Sequence, residues 1–118
     1  MIKSSRGCCG AEELAEVKEA FDYGYFGLAY KTNEFEQEMA KYLNTDRFVI
    51  TTNTGTNALH LALDTIGVKE GDEILMPSFT FVATAQAVEM CGATPVFCEV
   101  HPDTFLLDVE DGKKKITK

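Results

Sequence analysis

The chain has 118 residues, of which 45% are hydrophobic and 25% are charged, and its formal net charge is −8. That length suits one domain with its own core but not two. The acidic charge disfavours nucleic acid and anionic membrane surfaces as partners, and no apolar run approaches the roughly 18 residues that a membrane span needs. Residues 1–7 lack the apolar segment of a secretory signal, so the expected location is the cytoplasm.

The cysteines give no sign of a metal centre. No two of them form a C-x-x-C pair, and the two histidines stand apart, so metal-ligand spacing is lacking. We predict reduced thiols and no metal site, with a redox or metal role of the adjacent pair Cys8-Cys9 as the alternative. The four cysteines are Cys8, Cys9, Cys91 and Cys98.

The first predicted element is an amphipathic helix over residues 11–23. Leu14, Val17 and Phe21 recur at helical spacing on one face, while glutamates occupy the other. Gly24 is expected to end this helix, because glycine readily adopts the left-handed conformation found after helix ends.

A loop rich in aromatic residues and glycine follows over residues 23–30. Packing in the core is the simpler interpretation of these rings, and contact with a ligand or a second subunit is the alternative. Asn33 then opens a second predicted helix, with Glu36 three residues later as in a capping box, and the helix closes near Asn44. We interpret residues 1–45 as an N-terminal helical arm.

A strand, a turn and a third helix are predicted next. Residues 48–50, Phe-Val-Ile, form a short apolar run, which indicates a buried strand. The turn formers at 52–55 follow, and the apolar pattern from Thr56 to Ile66 predicts a helix buried between a sheet and another layer. His60 lies on its polar stripe, and we interpret it as a surface residue and not as a catalytic base.

The turn before this helix has the features of an anion site. The first N–H groups of a helix lack intrahelical acceptors, and the helix dipole favours negative charge there. Gly55 allows a ligand to approach the backbone closely, and Thr54 and Thr56 add hydroxyl donors. We interpret Thr54-Gly55-Thr56 as a candidate phosphate cradle. An ordinary strand-to-helix connection with a threonine cap is the alternative.

The rest of the chain continues to alternate between strands and helices. Strands are predicted over residues 73–76 and 94–100, and the helix between them is capped by Ser78 or Thr80 and ends at Gly92. Such alternation favours parallel strands joined by crossover helices.

A last helix is predicted to begin at the cap Asp108 and to run into a lysine run near the chain end. Ligands of open α/β sheets bind beyond the carboxyl ends of the strands. Both the turn at 54–56 and the turn at 78–81 lie at such ends, and the second offers the ring of Phe79 or Phe81. Phosphate donors beside a flat ring suggest a planar, phosphorylated ligand.

Three stretches closely resemble the nucleotide-sugar aminotransferase family of the DegT/StrS type. They are N-T-G-T-N-A-L-H-L-A-L at 53–63, G-D-E-I-L-M-P-S-F-T-F-V-A-T-A at 71–85 and C-G-A-T-P-V-F-C-E-V-H-P-D-T-F at 91–105. The N-terminal helices also resemble those of the family, so the resemblance covers nearly the whole chain in register. Members of the family are pyridoxal-phosphate enzymes of fold type I.

The resemblance implies an α/β fold, the N-terminal part of a PLP fold type I large domain. Two helices would precede a βαβαβ unit and a last helix, with the arm at 1–45 and an incomplete large domain at 46–118. Thr54-Gly55-Thr56 would hold the phosphate of pyridoxal 5'-phosphate, chiefly through the Gly55 and Thr56 amides, and Phe81 would stack on its pyridine ring. Family members, usually homodimers, transfer an amino group, usually from glutamate, to a nucleotide-linked keto-sugar.

The resemblance also implies what these residues lack. In the family, the Schiff-base lysine, the acid partner of the pyridine nitrogen and the donor to the ring hydroxyl come from later in the chain, and no lysine here matches the family's lysine motif. We therefore expect an N-terminal fragment that is inactive alone and marginally stable, because the strand at 48–50 would lack its neighbours. A relative that dehydrates deoxysugars and a non-catalytic truncated product are the alternatives.

Overall fold

The computed structural model of the chain describes residues 7–27 and 30–117. Its elements are α1 (Ala11–Tyr23), α2 (Tyr30–Tyr42), α3 (Gly55–Thr65), β1 (Glu73–Pro77), α4 (Ala83–Met90), β2 (Thr94–Cys98) and α5 (Val109–Lys115). The described residues form two compact units, which divide between Thr51 and Thr52. None of the helices within these described ranges combines the length and apolar character needed to cross a bilayer.

The ends of α1 follow from local sequence. The backbone N–H of Gly10 donates to the carboxylate of Glu13 over 2.6 Å, and this bond lowers the pKa of Glu13. At the other end, Gly24 adopts a left-handed φ of 74° and its N–H bonds to the carbonyl of Ala20. The predicted helix and its terminating glycine are thus confirmed.

The predicted start of α2 at Asn33 is wrong, because the helix already includes Tyr30. The carboxylate of Glu36 closes no capping box. It instead accepts hydrogen bonds from both the N–H and the hydroxyl of Thr51, each over 2.8 Å. Asn33 lies within the helix, so the spacing of Asn33 and Glu36 does not mark the helix start.

The beginning of α2 is instead bound to α1 by a charged cluster. Lys31 Nζ lies 2.5 Å from Glu16, 3.1 Å from Glu19 and 3.6 Å from Glu34. The hydroxyl of Tyr30 also donates to Glu19 over 2.8 Å. The hydrogen bonds with Glu16 and Glu19 raise the pKa of Lys31 well above its ordinary value. These contacts fix the first turn of α2 against α1.

The strand predicted at residues 48–50 is not formed. Phe48 is 97% exposed, and no strand pairs with this run among the described residues. A strand satisfies its backbone groups only through a neighbouring strand. An apolar run without such a neighbour remains extended chain.

The sheet in the second unit consists of β1 and β2, which pair in parallel with Glu73 opposite Thr94 and Pro77 opposite Cys98. Helix α4 forms the crossover and packs on both strands, and Gly92 follows it with a left-handed φ of 77°. The predicted parallel pairing and the glycine stop are therefore confirmed. The buried core lies between these elements and comprises Met76, Ala83, Ala87, Val88, Ala93 and Cys98.

Two details around α4 differ from the sequence predictions. Neither Ser78 nor Thr80 caps this helix, whose preceding residue is Val82 and which has no side-chain cap. The N–H of Ser78 donates to the carbonyl of Cys98 over 2.8 Å, so this segment still follows the sheet. The helix therefore begins only at Ala83.

Helix α3 packs against α4, the next helix along the chain. It spans Gly55–Thr65, one residue earlier at each end than predicted. The prediction that it is buried between a sheet and another layer is wrong for the described chain, since none of its residues is buried. The second layer that would cover its outer face is not among the described elements.

Helix α5 lies against β2 and also binds its backbone. Asp108 caps the helix as predicted, accepting from the N–H groups of Glu110 and Asp111. Strand β2 ends at Cys98 and not at Val100, which forms a single antiparallel bridge with Leu107.

Candidate functional site

The candidate site is built at the start of α3, where Thr54 is the N-cap. Thr54 has extended backbone angles, and its hydroxyl oxygen accepts from the N–H of Asn57 over 3.1 Å. The next N–H, that of Ala58, bonds to the Thr54 carbonyl. The third and fourth amides of the helix are therefore satisfied within the turn.

The N–H groups of the first two residues of α3 are not satisfied within the turn. Within the described ranges, the N–H groups of Gly55 and Thr56 have no hydrogen-bond acceptor. A Cβ built on Gly55 would meet no atom within 4 Å, so the space beside this residue is open. Two adjacent free donors at the positive end of a helix dipole form the usual arrangement for binding a phosphate group.

A cavity of about 560 Å³ opens beside these amides. The phenyl ring of Phe81, which is 76% exposed, forms part of its wall. The lining residues come from the start of α3 and from the segment leading into α4, and they are Gly55, Thr56, Ala58, Leu59, Phe81, Ala83 and Thr84.

The structure thus brings three of the predicted site residues, Gly55, Thr56 and Phe81, to one cavity. The fourth, Thr54, is not among the lining residues and acts through its cap on α3. Sequence reasoning missed Thr84, whose hydroxyl lies 3.0 Å from that of Thr80. A hydroxyl residue in the first turn of α4 becomes a candidate only once the true start of that helix is known.

The chemistry of this wall is that of a binding surface. All of its described lining residues are uncharged, so no carboxylate repels an anion near the free amides. The wall offers backbone donors, hydroxyls and one aromatic face. These groups fit a phosphate attached to a flat ring, but none of them can serve as a base near neutral pH or as an amine nucleophile.

Comparison with protein families gives a match that covers residues 7–118 of the chain, to the DegT/DnrJ/EryC1/StrS aminotransferase family.

The chain belongs to this family.

Two relatives from this family are much longer than this chain. The chain is 38% identical to dTDP-4-dehydro-2,3,6-trideoxy-D-glucose 4-aminotransferase of Saccharopolyspora spinosa, over 99% of this chain and 31% of the relative. It is 42% identical to GDP-perosamine synthase of Vibrio cholerae, over 90% of this chain and 29% of the relative. The chain therefore spans less than a third of the length of these two relatives.

A solved structure agrees in fold. Spr1654 of Streptococcus pneumoniae, assigned as a sugar aminotransferase, superposes with a TM-score of 0.91 at 31% identity, over 98% of this chain and 29% of that protein. It has been determined in a PLP form and a PMP form. The α/β fold of this aminotransferase class, expected from the resemblance, is confirmed for the part that the chain covers, apart from the unformed first strand.

Proposed function

We propose that this chain forms the phosphate cradle and ring wall of a pyridoxal 5'-phosphate-dependent aminotransferase. The observation that carries the proposal is the shared cavity of the free Gly55 and Thr56 amides and the Phe81 ring. Membership of the DegT/DnrJ/EryC1/StrS family supports the choice of cofactor. The proposed reaction is the transfer of an amino group to a nucleotide-linked keto-sugar, which is supported by the name of the Saccharopolyspora spinosa relative. Glutamate is the proposed amino donor.

Each residue has a separate task in this proposal. The Gly55 and Thr56 N–H groups donate to phosphate oxygens, and the cap of Thr54 on Asn57 keeps these amides pointing into the cavity. Phe81 fixes the plane of the pyridine ring by stacking. Pyridoxal phosphate, when bound, supplies the electron sink for the carbanion of amino-group transfer. The cavity wall orients it and excludes water from one face.

The cradle can be tested with pyridoxamine 5'-phosphate, which carries the phosphate and the ring but no aldehyde. Titration into the ¹⁵N-labelled 118-residue chain is expected to shift the Gly55 and Thr56 amide signals, and inorganic phosphate should shift the same two. Pyridoxamine without phosphate should leave them in place. Thr65→Ala, on the same helix, is the matched control, since its hydroxyl bonds to the Leu61 carbonyl and not to the cavity. Shifts elsewhere, with none at the start of α3, would overturn the assignment.

The proposed substrate class can be tested only in a protein that catalyses the reaction. We suggest replacing the matched segment of the Vibrio cholerae GDP-perosamine synthase with this chain. The chimaera is expected to keep the visible absorbance of bound cofactor and to aminate a nucleotide-linked keto-sugar. Cofactor absorbance without amination of any nucleotide-linked keto-sugar would support the cradle and contradict the proposed substrate class.

We further propose that these 118 residues do not catalyse the reaction alone. No lysine is among the residues lining the cavity within the described chain. Lys113 is paired with Glu110 and Lys115 with Asp111, both on α5. Incubation with pyridoxal phosphate, borohydride reduction and tryptic mapping should therefore show no stoichiometrically labelled lysine. A single lysine labelled to completion would refute this.

The assignment of residues 1–45 as an arm and 46–118 as the first part of a large domain remains a proposal, as do the homodimer and the cytoplasmic location. Sedimentation of the protein that carries this segment tests the dimer. A monomer at micromolar concentration would contradict it.

A further inference from the structure

Phe79 and Phe105 form an aromatic contact between the two loops at the carboxyl edge of the sheet. Their ring centroids lie 5.5 Å apart, with 43° between the planes. Phe79 follows β1 and Phe105 follows β2, so the contact joins two loops that are distant in sequence. The side chains are 68% and 58% exposed. The pair is therefore a surface contact, and core burial does not explain why the rings meet.

The backbone of Phe105 is held in an unfavourable conformation. Its φ of 56° lies in the left-handed region, which is costly for a bulky residue. Two hydrogen bonds close the loop around it, from the Phe105 N–H to the His101 carbonyl over 2.8 Å and from the His101 N–H to the Leu106 carbonyl over 2.9 Å. The loop keeps this conformation although a glycine would fit it without strain. A bulky residue kept in such a conformation is a candidate for a functional role.

Phe79 belongs to the short segment that carries Phe81. The segment is fixed at one end by the bond from the Ser78 N–H to the Cys98 carbonyl, and at the other by the bond from the Thr84 N–H to the Phe81 carbonyl over 3.0 Å. The contact with Phe105 restrains the segment between these two points. A shift of Phe79 would be transmitted over one residue to Phe81.

We propose that Phe105 is a positioning residue for the cofactor ring. It holds Phe79, and through Phe79 the segment at 78–82, and so sets the direction in which the Phe81 ring faces the cavity. This inference rests on the proposed function, because Phe81 is assigned there as the stacking wall.

The first test needs no ligand. Phe105→Gly removes the ring but accepts the left-handed backbone, and Phe105→Tyr keeps the ring. Carbon-13 relaxation of a selectively labelled Phe81 ring is expected to show greater ring motion in Phe105→Gly only. Leu106→Ala, in the same exposed loop, is the control and should behave as the wild-type chain. Unchanged Phe81 motion in Phe105→Gly would overturn the proposal.

The second test separates positioning from general loss of structure. Phe105→Gly should weaken binding of pyridoxamine 5'-phosphate by about threefold to tenfold, the range of an aromatic contact, and leave binding of inorganic phosphate unchanged. In a Phe81→Leu background the same change should have no further effect. Equal weakening for both probes would mean a merely structural role. If pyridoxamine 5'-phosphate fails to bind the wild-type chain, the proposed function fails, while the relaxation result still decides the role of Phe105.

Discussion

Asp111 and Lys115 form an ion pair of 2.8 Å, and both members also bind the backbone of the strand beside them. The carboxylate of Asp111 accepts from the N–H of Glu99 over 2.8 Å, and Lys115 Nζ donates to the carbonyl of Phe97 over 2.8 Å. Residues 94 and 98 bond to the β1 side, so the alternation of a strand places residues 97 and 99 on the opposite edge. Two side chains of α5 thus take the positions that a third strand would fill.

This arrangement predicts acid sensitivity. The hydrogen bonds from Lys115 and from the Glu99 N–H lower the pKa of Asp111 in the folded chain. A lowered folded-state pKa means that the stabilisation is present above the ordinary aspartate pKa and is lost as the pH falls through the folded value. The pKa of Lys115 is raised, so its part is lost only at strongly alkaline pH. We expect the wild-type chain to have a higher melting temperature than Asp111→Asn near neutral pH. This difference in melting temperature should disappear as the pH falls through the folded-state pKa of Asp111.

Glu110→Gln supplies the control for that experiment. Glu110 pairs with Lys113 over 2.7 Å on the same helix, its carboxylate binds no backbone group of the strand edge within the described residues, and both side chains are well exposed. The melting temperature of Glu110→Gln should equal that of the wild-type chain at every pH in the range. A gap for Asp111→Asn that is constant with pH would contradict the assignment of the effect to this carboxylate.

The cap of α3 should contribute measurably to stability. Thr54→Ala removes the acceptor of the Asn57 N–H. Loss of such a cap costs about 1 kcal/mol. Urea unfolding followed by far-UV circular dichroism should show a lower midpoint for Thr54→Ala, while Thr54→Ser retains the wild-type midpoint. An alanine variant that unfolds at the wild-type urea concentration would show that the hydroxyl does not stabilise the turn.

The substitution Gly55→Ala is expected to raise the stability of the chain and to weaken its binding of pyridoxamine 5'-phosphate. Alanine at the first position of α3 meets open space, and replacing glycine in a helix by alanine gains roughly 0.5–1 kcal/mol in favourable cases. The added methyl group would occupy the place from which a phosphate approaches the free amides. Gly55→Ala should therefore unfold at higher urea and bind pyridoxamine 5'-phosphate more weakly. Unchanged affinity would argue against close approach of the phosphate at this residue.

Lys31 should matter more than other surface lysines of the first unit. It contacts acids on both α1 and α2, whereas Lys41 pairs with Glu38, one turn away on α2, and with no other acid among the described residues. Exposed pairs within one helix contribute little. Lys31→Ala is therefore expected to lower the helical signal and its melting temperature more than Lys41→Ala, with a smaller difference in high salt. Equal effects of the two substitutions would mean that Lys31 does not bind the helices together.

The sequence predicted those features that depend on neighbouring residues. Gly24 and Gly92 mark helix ends through their own conformational freedom, and Asp108 caps α5 through amides two and three residues away. The Thr54 cap and the free amides of Gly55 and Thr56 belong to this class, since a glycine, a threonine cap and a helix start are all local, while the binding of a phosphate there stays a prediction. Phe81 shares a cavity with Gly55 because α3 packs against α4, and this contact brings the starts of the two helices together.

The errors all involve residues whose structure depends on distant partners. Residues 48–50 have strand composition, but no described strand lies beside them. The first residues of α2, Tyr30 and Lys31, bind glutamates of α1, and these contacts follow no local sequence motif. Ser78 was predicted to cap α4, but its N–H bonds to the Cys98 carbonyl across the sheet and the helix begins only at Ala83.

The two flanks of the small sheet are therefore not equivalent. On the flank of β2, Asp111 and Lys115 already bond to the Glu99 N–H and the Phe97 carbonyl, two backbone groups that a further strand would need. The outward groups of β1, at Leu75, meet no such side chains within the described contacts. The backbone groups on the outer edge of β1 are therefore the ones left open to pairing with another strand.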